Sequence, residues 1–424
     1  MNERYDVVII GGGPAGLAAA IGAREGGARV LVVEREAQLG GILKQCVHDG
    51  FGLMRYGEAL TGPEYAARDV DRAMGLGADV ALCTFVLEAH REQEGFRLVL
   101  TSRSGVREVH ARSVVLATGC RERTAKQVFI HGDRPSGIFT AGCAQNLVNV
   151  QGMLPAKRVV VLGSGDIGLI MARRLTLEGA KVLGVYEARP RPSGLARNIA
   201  QCLDDFGIPL HLGTTVTRTF GRDRLEAVEV CKVDERMQPV EGTEQRIGCD
   251  GLVVSVGLIP ENEVAEQLGV PMCAETHGPI VDQQLQTLVD GVFSAGNCTS
   301  VNDLVDYVSE TGLRAGRAAA LHALRQQGRS LREVRCGNGV ASCVPQRIDF
   351  GPECGEVTFY LRSDSDYRDV EVLFVSQGEV LARKRLRAVR QAETVRVAAD
   401  LGQMGNRVYV SIAGSGHVKG EGNG

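Results

Sequence analysis

Short, almost unbroken apolar runs recur along the chain, and each leads into a turn that contains glycine. They lie at residues 5–10, 114–116, 159–162, 252–256 and 292–295. Apolar runs of this length between glycine turns are typical of strands buried on both faces of a parallel sheet. Segments with helical character at residues 62–75, 167–178 and 309–326 separate them. This alternation of strands and helices predicts an α/β fold.

Further strands are predicted between and after these units. Residues 84–90, 96–101 and 106–110 form one candidate antiparallel meander, and residues 216–220, 225–233 and 245–249 form another. After residue 328 apolar residues alternate with mostly polar neighbours, as in 357–361, 370–374, 395–397 and 408–412. A period of two indicates half-buried antiparallel strands. We expect this region to be a separate β-rich appendage that serves assembly rather than catalysis and packs on a neighbour.

Two of the glycine turns carry the motif G-x-G-x-x-G, at residues 11–16 and 163–168. Each copy follows a strand, opens a helix and precedes a strand that ends in an acid, Glu34 or Glu187. The glycines permit a tight turn, close approach of a pyrophosphate and packing of helix on strand. The acid accepts hydrogen bonds from ribose hydroxyls. One copy could be an ordinary glycine-rich turn, but two copies in full context predict two bound dinucleotides and electron transfer between them.

The predicted fold class is therefore α/β, with two Rossmann-like dinucleotide-binding domains of the three-layer ββα type and a C-terminal β-rich appendage. The first domain comprises residues 1–150 and 282–328. The second domain is inserted at 151–281, and the appendage is 329–424.

Composition narrows the functional classes. With 23% charged residues and a net charge of −3, the chain gives no reason to expect nucleic acid binding. No apolar run is long enough to span a bilayer. The 12 cysteines are scattered and include no C-x-x-C pair, which predicts a reducing, cytoplasmic setting. Their spacing matches no metal-ligand motif, so no metal is expected.

The chain resembles the pyridine nucleotide–disulfide oxidoreductase superfamily. The resemblance covers residues 5 to about 328 and lies in both glycine motifs and in residues 117–119, 256–262 and 292–297. It implies an FAD-dependent NAD(P)H oxidoreductase, with FAD in the first domain and NAD(H) in the second. The implied FAD-binding residues are Gly11, Gly13, Pro14, Ala15, Gly16, Glu34, Arg35, Gly40, Gly41, Ala117, Thr118, Gly119, Gly296 and Asn297. The implied NAD-binding residues are Gly163, Gly165, Asp166, Ile167, Gly168, Glu187 and Gly257.

A narrower resemblance lies in residues 40–48, 119–123 and 135–147. These segments look like the flavoprotein encoded beside anaerobic-type glycerol-3-phosphate dehydrogenases and, more distantly, like the larger subunits of opine oxidase, hydrogen cyanide synthase and heteromeric sarcosine oxidase. That subgroup implies a homo- or hetero-oligomer. Its implied partners are a substrate-oxidising flavoprotein, such as a glycerol-3-phosphate dehydrogenase, and a small cysteine-rich protein.

The sequence departs from the disulfide reductases in its thiols. The positions of their cysteine pair hold Leu43 and His48. Cys46 is a candidate single-thiol centre, or a buried small residue. His48 is a candidate proton donor, or a structural histidine bonded to a loop carbonyl.

The nucleotide motifs also depart from the family pattern. Asn297 replaces the usual Asp of the FAD site and keeps an oxygen acceptor. In the second motif, Asp166 and Ile170 replace the usual residues, which puts productive NADH binding in question. Glu187 would repel a 2′-phosphate and favours NAD, although Arg189 and Arg191 lie nearby.

The resemblance and these departures together leave three functions open. The first is an FAD-dependent subunit that moves electrons between NAD(H) and a partner protein or small acceptor. The second is a self-contained NADH oxidase or a single-cysteine reductase that uses Cys46. The third is a scaffold subunit that binds nucleotides without turnover.

Overall fold

The computed structural model describes residues 3–325, 328–350, 355–391, 393–402 and 404–414. These residues fall into two compact units, Met1–Cys120 with Pro260–Gly424, and Arg121–Ile259. Residues 1–2, 326–327, 351–354, 392, 403 and 415–424, which the predicted domains include, lie outside the described residues.

The unit limits differ from the sequence-based domain limits. Residues 121–150 group with the second unit, because the strand at 138–140 pairs with residues 252–254. Residues 260–281 group with the first unit, where Ala265, Leu268 and Val270 join a core of that unit. The limits of the two nucleotide-binding domains stay a prediction.

The described part of the first stretch contains two α-helices and seven strands. They are β1 (Glu3–Ile10), α1 (Pro14–Glu25), β2 (Val30–Val33), α2 (Gly62–Gly75), β3 (Asp79–Ala81), β4 (Phe85–Glu92), β5 (Gly95–Ser102), β6 (Gly105–Leu116) and β7 (Cys120–Glu122).

The middle stretch contains three helices and ten strands. They are β8 (His131–Gly132), β9 (Ile138–Thr140), α3 (Ala141–Asn149), β10 (Arg158–Leu162), α4 (Asp166–Leu177), β11 (Lys181–Glu187), α5 (Ala196–Cys202), β12 (Leu210–Leu212), β13 (Thr214–Phe220), β14 (Ala227–Lys232), β15 (Gln245–Gly248), β16 (Gly251–Val254) and β17 (Leu258–Pro260).

The described part of the last stretch contains two helices and nine strands. They are α6 (Glu263–Gln267), β18 (Val292–Ser294), α7 (Val305–Leu324), β19 (Leu331–Cys336), β20 (Val340–Val344), β21 (Arg347–Asp349), β22 (Glu356–Ser363), β23 (Tyr367–Ser376), β24 (Glu379–Val389), β25 (Val395–Asp400) and β26 (Arg407–Gly414).

The first unit is built on a seven-stranded sheet of order β3-β2-β1-β6-β5-β4, with β18 also paired to β6. Strands β1, β2, β3, β6 and β18 run parallel, and β4-β5-β6 is the predicted antiparallel meander. The sheet carries apolar side chains on both faces, and α1 and α7 pack together on one of them. The two helices can approach closely because Gly312 and Gly316 of α7 have no side chain. A Cβ at either position would overlap the backbone of α1.

The second unit repeats this plan in shorter form. Its parallel sheet has the order β12-β11-β10-β16-β9, and α4 packs against it through Leu169, Met171 and Leu175. The second predicted meander is the antiparallel set β13-β14-β15, extended by β8. The fold class predicted from sequence is thereby confirmed for both nucleotide-binding modules.

The β-rich appendage is a sandwich of two sheets, β21-β19-β26-β23-β24 and β20-β22-β25. Alternate residues of these strands point into one shared core, in which the rings of Phe359 and Phe374 lie 4.8 Å apart between centroids. Its predicted strands are thus confirmed. None of the described helices is both long enough and apolar enough to cross a membrane.

Candidate nucleotide-binding sites

The first glycine motif forms a tight turn between β1 and α1. Gly11 has a φ of +107°, and a Cβ there would overlap the carbonyl of Ala117. A Cβ at Gly16 would overlap the carbonyl of Gly11, which explains the close seat of α1 on the strand. Gly13 caps α1 without a side-chain hydrogen bond, and Pro14 is the first helical residue. The amides at this helix N-terminus are therefore left for an anion.

The acid that ends β2 is tied to this turn. Glu34 is buried, its Oε2 accepts a hydrogen bond from the Gly12 amide at 2.7 Å, and its Oε1 accepts one from the Glu36 amide at 2.7 Å. A carboxylate offers about four lone-pair sites, so acceptor capacity remains for the hydroxyls of a ribose.

The other predicted FAD-binding residues converge on the same turn. The Gly40 amide donates to the Gly12 carbonyl at 2.8 Å, which brings Gly41 against Gly13. On the opposite side, a Cβ at Gly296 would come within 2.7 Å of the Ala15 Cβ. Segments separated by more than 250 residues thus meet at the N-terminus of α1.

The end of β6 provides a second wall. The Thr118 hydroxyl donates to the Glu261 carbonyl at 2.5 Å, and the Glu261 amide donates to the Gly119 carbonyl at 3.0 Å. The Glu261 carboxylate pairs with Arg35 at 3.1 Å. A Cβ on Gly119 would meet no described atom within 4 Å, so there is open space beside this backbone.

Asn297 lies next to that wall. Its Oδ1 accepts a hydrogen bond from the Asn302 amide at 3.0 Å, and its Nδ2 lies 3.7 Å from the Cys120 Sγ. Gly296, one residue earlier, donates its amide to the Thr311 hydroxyl at 3.3 Å. The returning segment is therefore held by α7 while Asn297 stays beside residues 118–120.

These features fit a dinucleotide such as FAD. A Cβ on Gly13 would meet only the Gly41 Cα, at 3.8 Å, among the described atoms. The helix N-terminus there carries no acid in its first turn, and the buried Glu34 keeps acceptor capacity beside it. These residues could hold a pyrophosphate and a ribose.

The two candidate catalytic residues follow Gly40 and Gly41. Cys46 ends a 3-10 helix at Gly41–Gln45, is half-buried, and has its Sγ 3.4 Å from the Ile42 carbonyl. His48 has its Nδ1 3.1 Å from the Asp49 carbonyl and its ring 4.8 Å from that of Phe51. The His48 contact is that of its structural interpretation, whereas Cys46 is half-buried rather than buried. A chemical role for either residue stays a prediction.

Two other thiols, Cys249 and Cys336, are poorly suited to chemistry. All cysteines in the described part of the chain are free. Burial raises the pKa of the Cys249 thiol to about 11, with a smaller effect of the Asp250 charge in the same direction. Burial likewise raises the pKa of Cys336 to about 11. Such thiols stay protonated near neutral pH and act as small apolar residues.

The second glycine motif repeats the first turn between β10 and α4. Gly163 has a φ of +101°, and a Cβ there would overlap the Ser255 carbonyl. A Cβ at Gly168 would lie 2.5 Å from the Gly163 carbonyl oxygen. Gly165 caps α4 with no side-chain hydrogen bond, and Ile167 is 40% exposed on the helix.

The acid of the second motif is more heavily bonded than that of the first. Glu187 Oε2 accepts from the Ser164 amide at 3.1 Å, the Ser164 hydroxyl at 2.6 Å and the Ser193 hydroxyl at 3.2 Å. Its Oε1 accepts from the Arg189 amide at 3.0 Å. The side chain is buried, and its position relative to the turn matches that of Glu34.

Asp166 and Gly257 complete the predicted set. Asp166 Oδ1 accepts from the Leu195 amide at 2.8 Å and from Asn198 Nδ2 at 2.6 Å. Gly257 follows β16, has a φ of +105°, and accepts at its carbonyl a hydrogen bond of 3.0 Å from the Arg123 amide. The structure thus brings the other predicted residues of the second site together around one turn, and Gly257 follows the strand that pairs with β10.

Several polar groups at these sites were not singled out from sequence. Ser164 lies inside the second motif and Glu261 inside the segment 256–262, but Ser193, Asn302 and Thr311 are ordinary loop or helix residues in the sequence. Only their hydrogen bonds to Glu187, Asn297, Gly296 and Thr118 reveal their role.

Known proteins are similar to this chain in sequence. The family model described as "Pyridine nucleotide-disulphide oxidoreductase" matches residues 5–328. The HcnB subunit of hydrogen cyanide synthase from Pseudomonas protegens is 29% identical over 76% of this chain and 70% of its own length. An opine oxidase subunit of Rhizobium meliloti is 28% identical over 78% of this chain and 73% of its own.

A solved structure supports the same fold. Thioredoxin reductase of T. acidophilum aligns with a TM-score of 0.63 and 23% identity, over 76% of this chain and 100% of its own. At this identity the likeness bears on the fold alone. Together with the family match, it covers the two nucleotide-binding modules.

Proposed function

The chain belongs to the pyridine nucleotide-disulphide oxidoreductase family, and from this premise we propose that it moves electrons between NAD(H) and a partner protein or small acceptor. Membership makes it a flavin-dependent pyridine nucleotide oxidoreductase with FAD and NAD(P)H as cofactors. The proposal adds the residues that bind each cofactor, the preference for NAD(H) and the kind of acceptor.

The repetition of one turn geometry in the two units carries the proposal. In each, a glycine turn opens a helix, and a buried acid accepts from the amide of the turn's second residue, Gly12 or Ser164. Each acid also accepts from the amide two residues after it. Two dinucleotide sites of this kind are what a protein needs to exchange electrons between a nicotinamide and a flavin.

The flavin, when bound, supplies the hydride and electron-transfer chemistry. The residues of the chain bind and orient: α1 directs its amides at a pyrophosphate, Glu34 accepts from a ribose, and Asn297 presents an amide beside residues 118–120. In the second unit Glu187 accepts from a ribose of NAD(H), as Glu34 does from a ribose of FAD. Its negative charge repels a 2′-phosphate.

The acceptor is proposed to be another protein. Two of the relatives are named as subunits, which favours a shared assembly for this chain as well. A substrate-oxidising flavoprotein of the glycerol-3-phosphate dehydrogenase kind, with a small cysteine-rich protein, would then exchange electrons with it. We place this assembly in the cytoplasm, as the scattered cysteines suggest.

Anaerobic reduction of the purified flavoprotein tests the proposal. NADH should bleach the flavin absorbance within seconds, and the reduced protein should then reduce an artificial dye. Glycerol 3-phosphate should not bleach it in the absence of a partner. A protein that retains flavin but is reduced by neither NADH nor NADPH would instead be a nucleotide-binding scaffold.

A thiol variant separates the remaining alternative. Cys46→Ser should leave the rate of flavin reduction and of dye turnover within about twofold of the parent chain. Cys83→Ser, which changes an exposed thiol, is the matched control. Loss of dye turnover in Cys46→Ser alone would make the chain a single-cysteine reductase.

A further inference from the structure

The two glycine turns differ at the first residue of the helix. In α1 this residue is Pro14, and the first turn of the helix contains no acid. In α4 it is Asp166, the acid in that helix's first turn. The caps before them, Gly13 and Gly165, are both extended, with φ of −77° and −67° and no side-chain hydrogen bond.

The Asp166 carboxylate is held in place but not neutralised. Its Oδ1 accepts from the Leu195 amide and from Asn198 Nδ2. Both donors are uncharged, and no described cation lies within ion-pair distance of it. Gly194 packs closely as well, since a Cβ there would lie 3.0 Å from Asp166 Oδ1. The carboxylate is therefore held at a fixed place by uncharged donors.

Asp166 begins the helix whose N-terminus binds a phosphate in this type of turn. The N-terminus of a helix attracts anions through its free amides and its dipole. A carboxylate in the first turn already occupies that favourable potential and repels a second anion by like-charge interaction. A pyrophosphate at α4 meets this repulsion, and one at α1 does not.

We propose that Asp166 is an affinity-determining residue of the second nucleotide site, whose carboxylate weakens the binding of the pyrophosphate of NAD(H). The inference rests on the proposed function, in that it takes residues 163–168 as the NAD(H) site. It makes the second site a weak one from which the nucleotide leaves readily, whereas the first site keeps its dinucleotide.

Isothermal titration of the flavin-loaded protein with NAD⁺ and with ADP-ribose tests this without turnover. Asp166→Asn keeps an oxygen acceptor for Leu195 and Asn198 but removes the charge. It should bind both ligands about three- to tenfold more tightly than the parent, and the gain should shrink as ionic strength rises. Glu178→Gln, which removes a charge at the far end of the same helix where Glu178 pairs with Arg174 at 2.6 Å, should change affinity by less than twofold.

A second variant separates charge from loop position. Asn198→Ala keeps the carboxylate and removes one of its donors, so it should bind no more tightly than the parent. If Asn198→Ala tightens binding as much as Asp166→Asn, the position of the segment that contains Leu195 and Asn198 limits affinity. That result overturns the proposal. Equal affinity of Asp166→Asn and the parent overturns it too, while leaving the proposed function intact. Binding in neither protein would remove both the proposal and the assignment of NAD(H) to this site.

Discussion

Individual glycines decide whether the first turn can accept a cofactor. A side chain at Gly11 or Gly16 would overlap the chain's own backbone, so substitution there would disturb folding. At Gly13 the only described neighbour is the Gly41 Cα, at 3.8 Å from a new Cβ. Substitution at Gly13 therefore tests the site rather than the fold.

We predict that Gly13→Val purifies folded but with less than about a tenth of the flavin of the parent, because the side chain fills space that the pyrophosphate needs. The flavin content of Gly13→Ala should lie between that of Gly13→Val and that of the parent chain. The flavin-to-protein absorbance ratio measures the loss, and thermal unfolding of both apoproteins is the control. A folded Gly13→Val protein with full flavin content would show that this turn does not hold FAD.

At the second turn, Glu187 should set the choice between NADH and NADPH. Glu187→Gln removes the negative charge, so repulsion of a 2′-phosphate is lost. The ratio of the flavin-reduction rate with NADH to that with NADPH should then fall by about three- to tenfold. Stopped-flow rates with both nucleotides measure the ratio. A parent protein that is reduced faster by NADPH would contradict the assignment and point to Arg189 and Arg191.

The sequence could identify residues whose role is fixed by local geometry. The glycines of both motifs, Glu34 and Glu187 are such residues, because a tight turn and a fixed spacing define them. It could not identify Ser193 or Asn302, since their hydrogen bonds depend on how a loop folds back in space. Asp166 was visible as a departure from the motif, but its bonds to Leu195 and Asn198 were not.

Among the elements, the strands of the β-rich appendage were predictable from their period of two, but their neighbour was not. Within the first unit the sandwich packs on the segment that follows Asn297. Arg362 donates to the Val301 carbonyl at 3.1 Å, and the Thr394 amide donates to Asp303 at 3.0 Å. The sequence predicts that this region packs on a neighbour. Among the described residues, the rest of the first unit is such a neighbour. The role of the sandwich in assembly stays a prediction.

A bidentate ion pair joins Arg396 of β25 to Glu310 of α7. Nε lies 3.0 Å and Nη2 2.7 Å from the two carboxylate oxygens, and both side chains are about one-third exposed. We predict that Arg396→Ala lowers the free energy of unfolding by about 1–2 kcal/mol, because a partly buried bidentate pair is lost. Denaturant unfolding monitored by circular dichroism measures the change.

Arg385→Ala is the matched control for this element. Arg385 lies 2.7 Å from Glu371 within the sandwich, but its side chain is 86% exposed, so its removal should lower the free energy of unfolding much less than the removal of Arg396. Equal losses in the two variants would mean that the Arg396–Glu310 pair does not fasten the sandwich to α7.

At the scale of the whole molecule, the question is whether the sandwich is independent of the flavin module. Val344 of β20 belongs to the same apolar core as α1 and α7, and the ring of Tyr360 contacts that of Tyr307 at 5.6 Å between centroids. Burial raises the pKa of Asp282, although the hydrogen bond and charge of Arg329 act in the opposite direction. The Asp282 carboxylate pairs with Arg329 at 2.9 Å. Removing the sandwich therefore exposes apolar surface and leaves Asp282 without its cation.

We predict that a chain ending at residue 328 loses FAD at least about tenfold faster on dialysis than the full chain. The segment from Asn297 to Glu310 would lose the contacts of Arg362, Thr394 and Arg396, and local opening of a binding segment speeds ligand release. The second unit has its own apolar cores, so titration with NAD⁺ should give an affinity within about threefold of the full chain. This makes NAD⁺ binding the internal control for folding. Unchanged flavin retention in the truncated chain, together with loss of oligomer or partner binding, would show instead that the sandwich serves assembly alone.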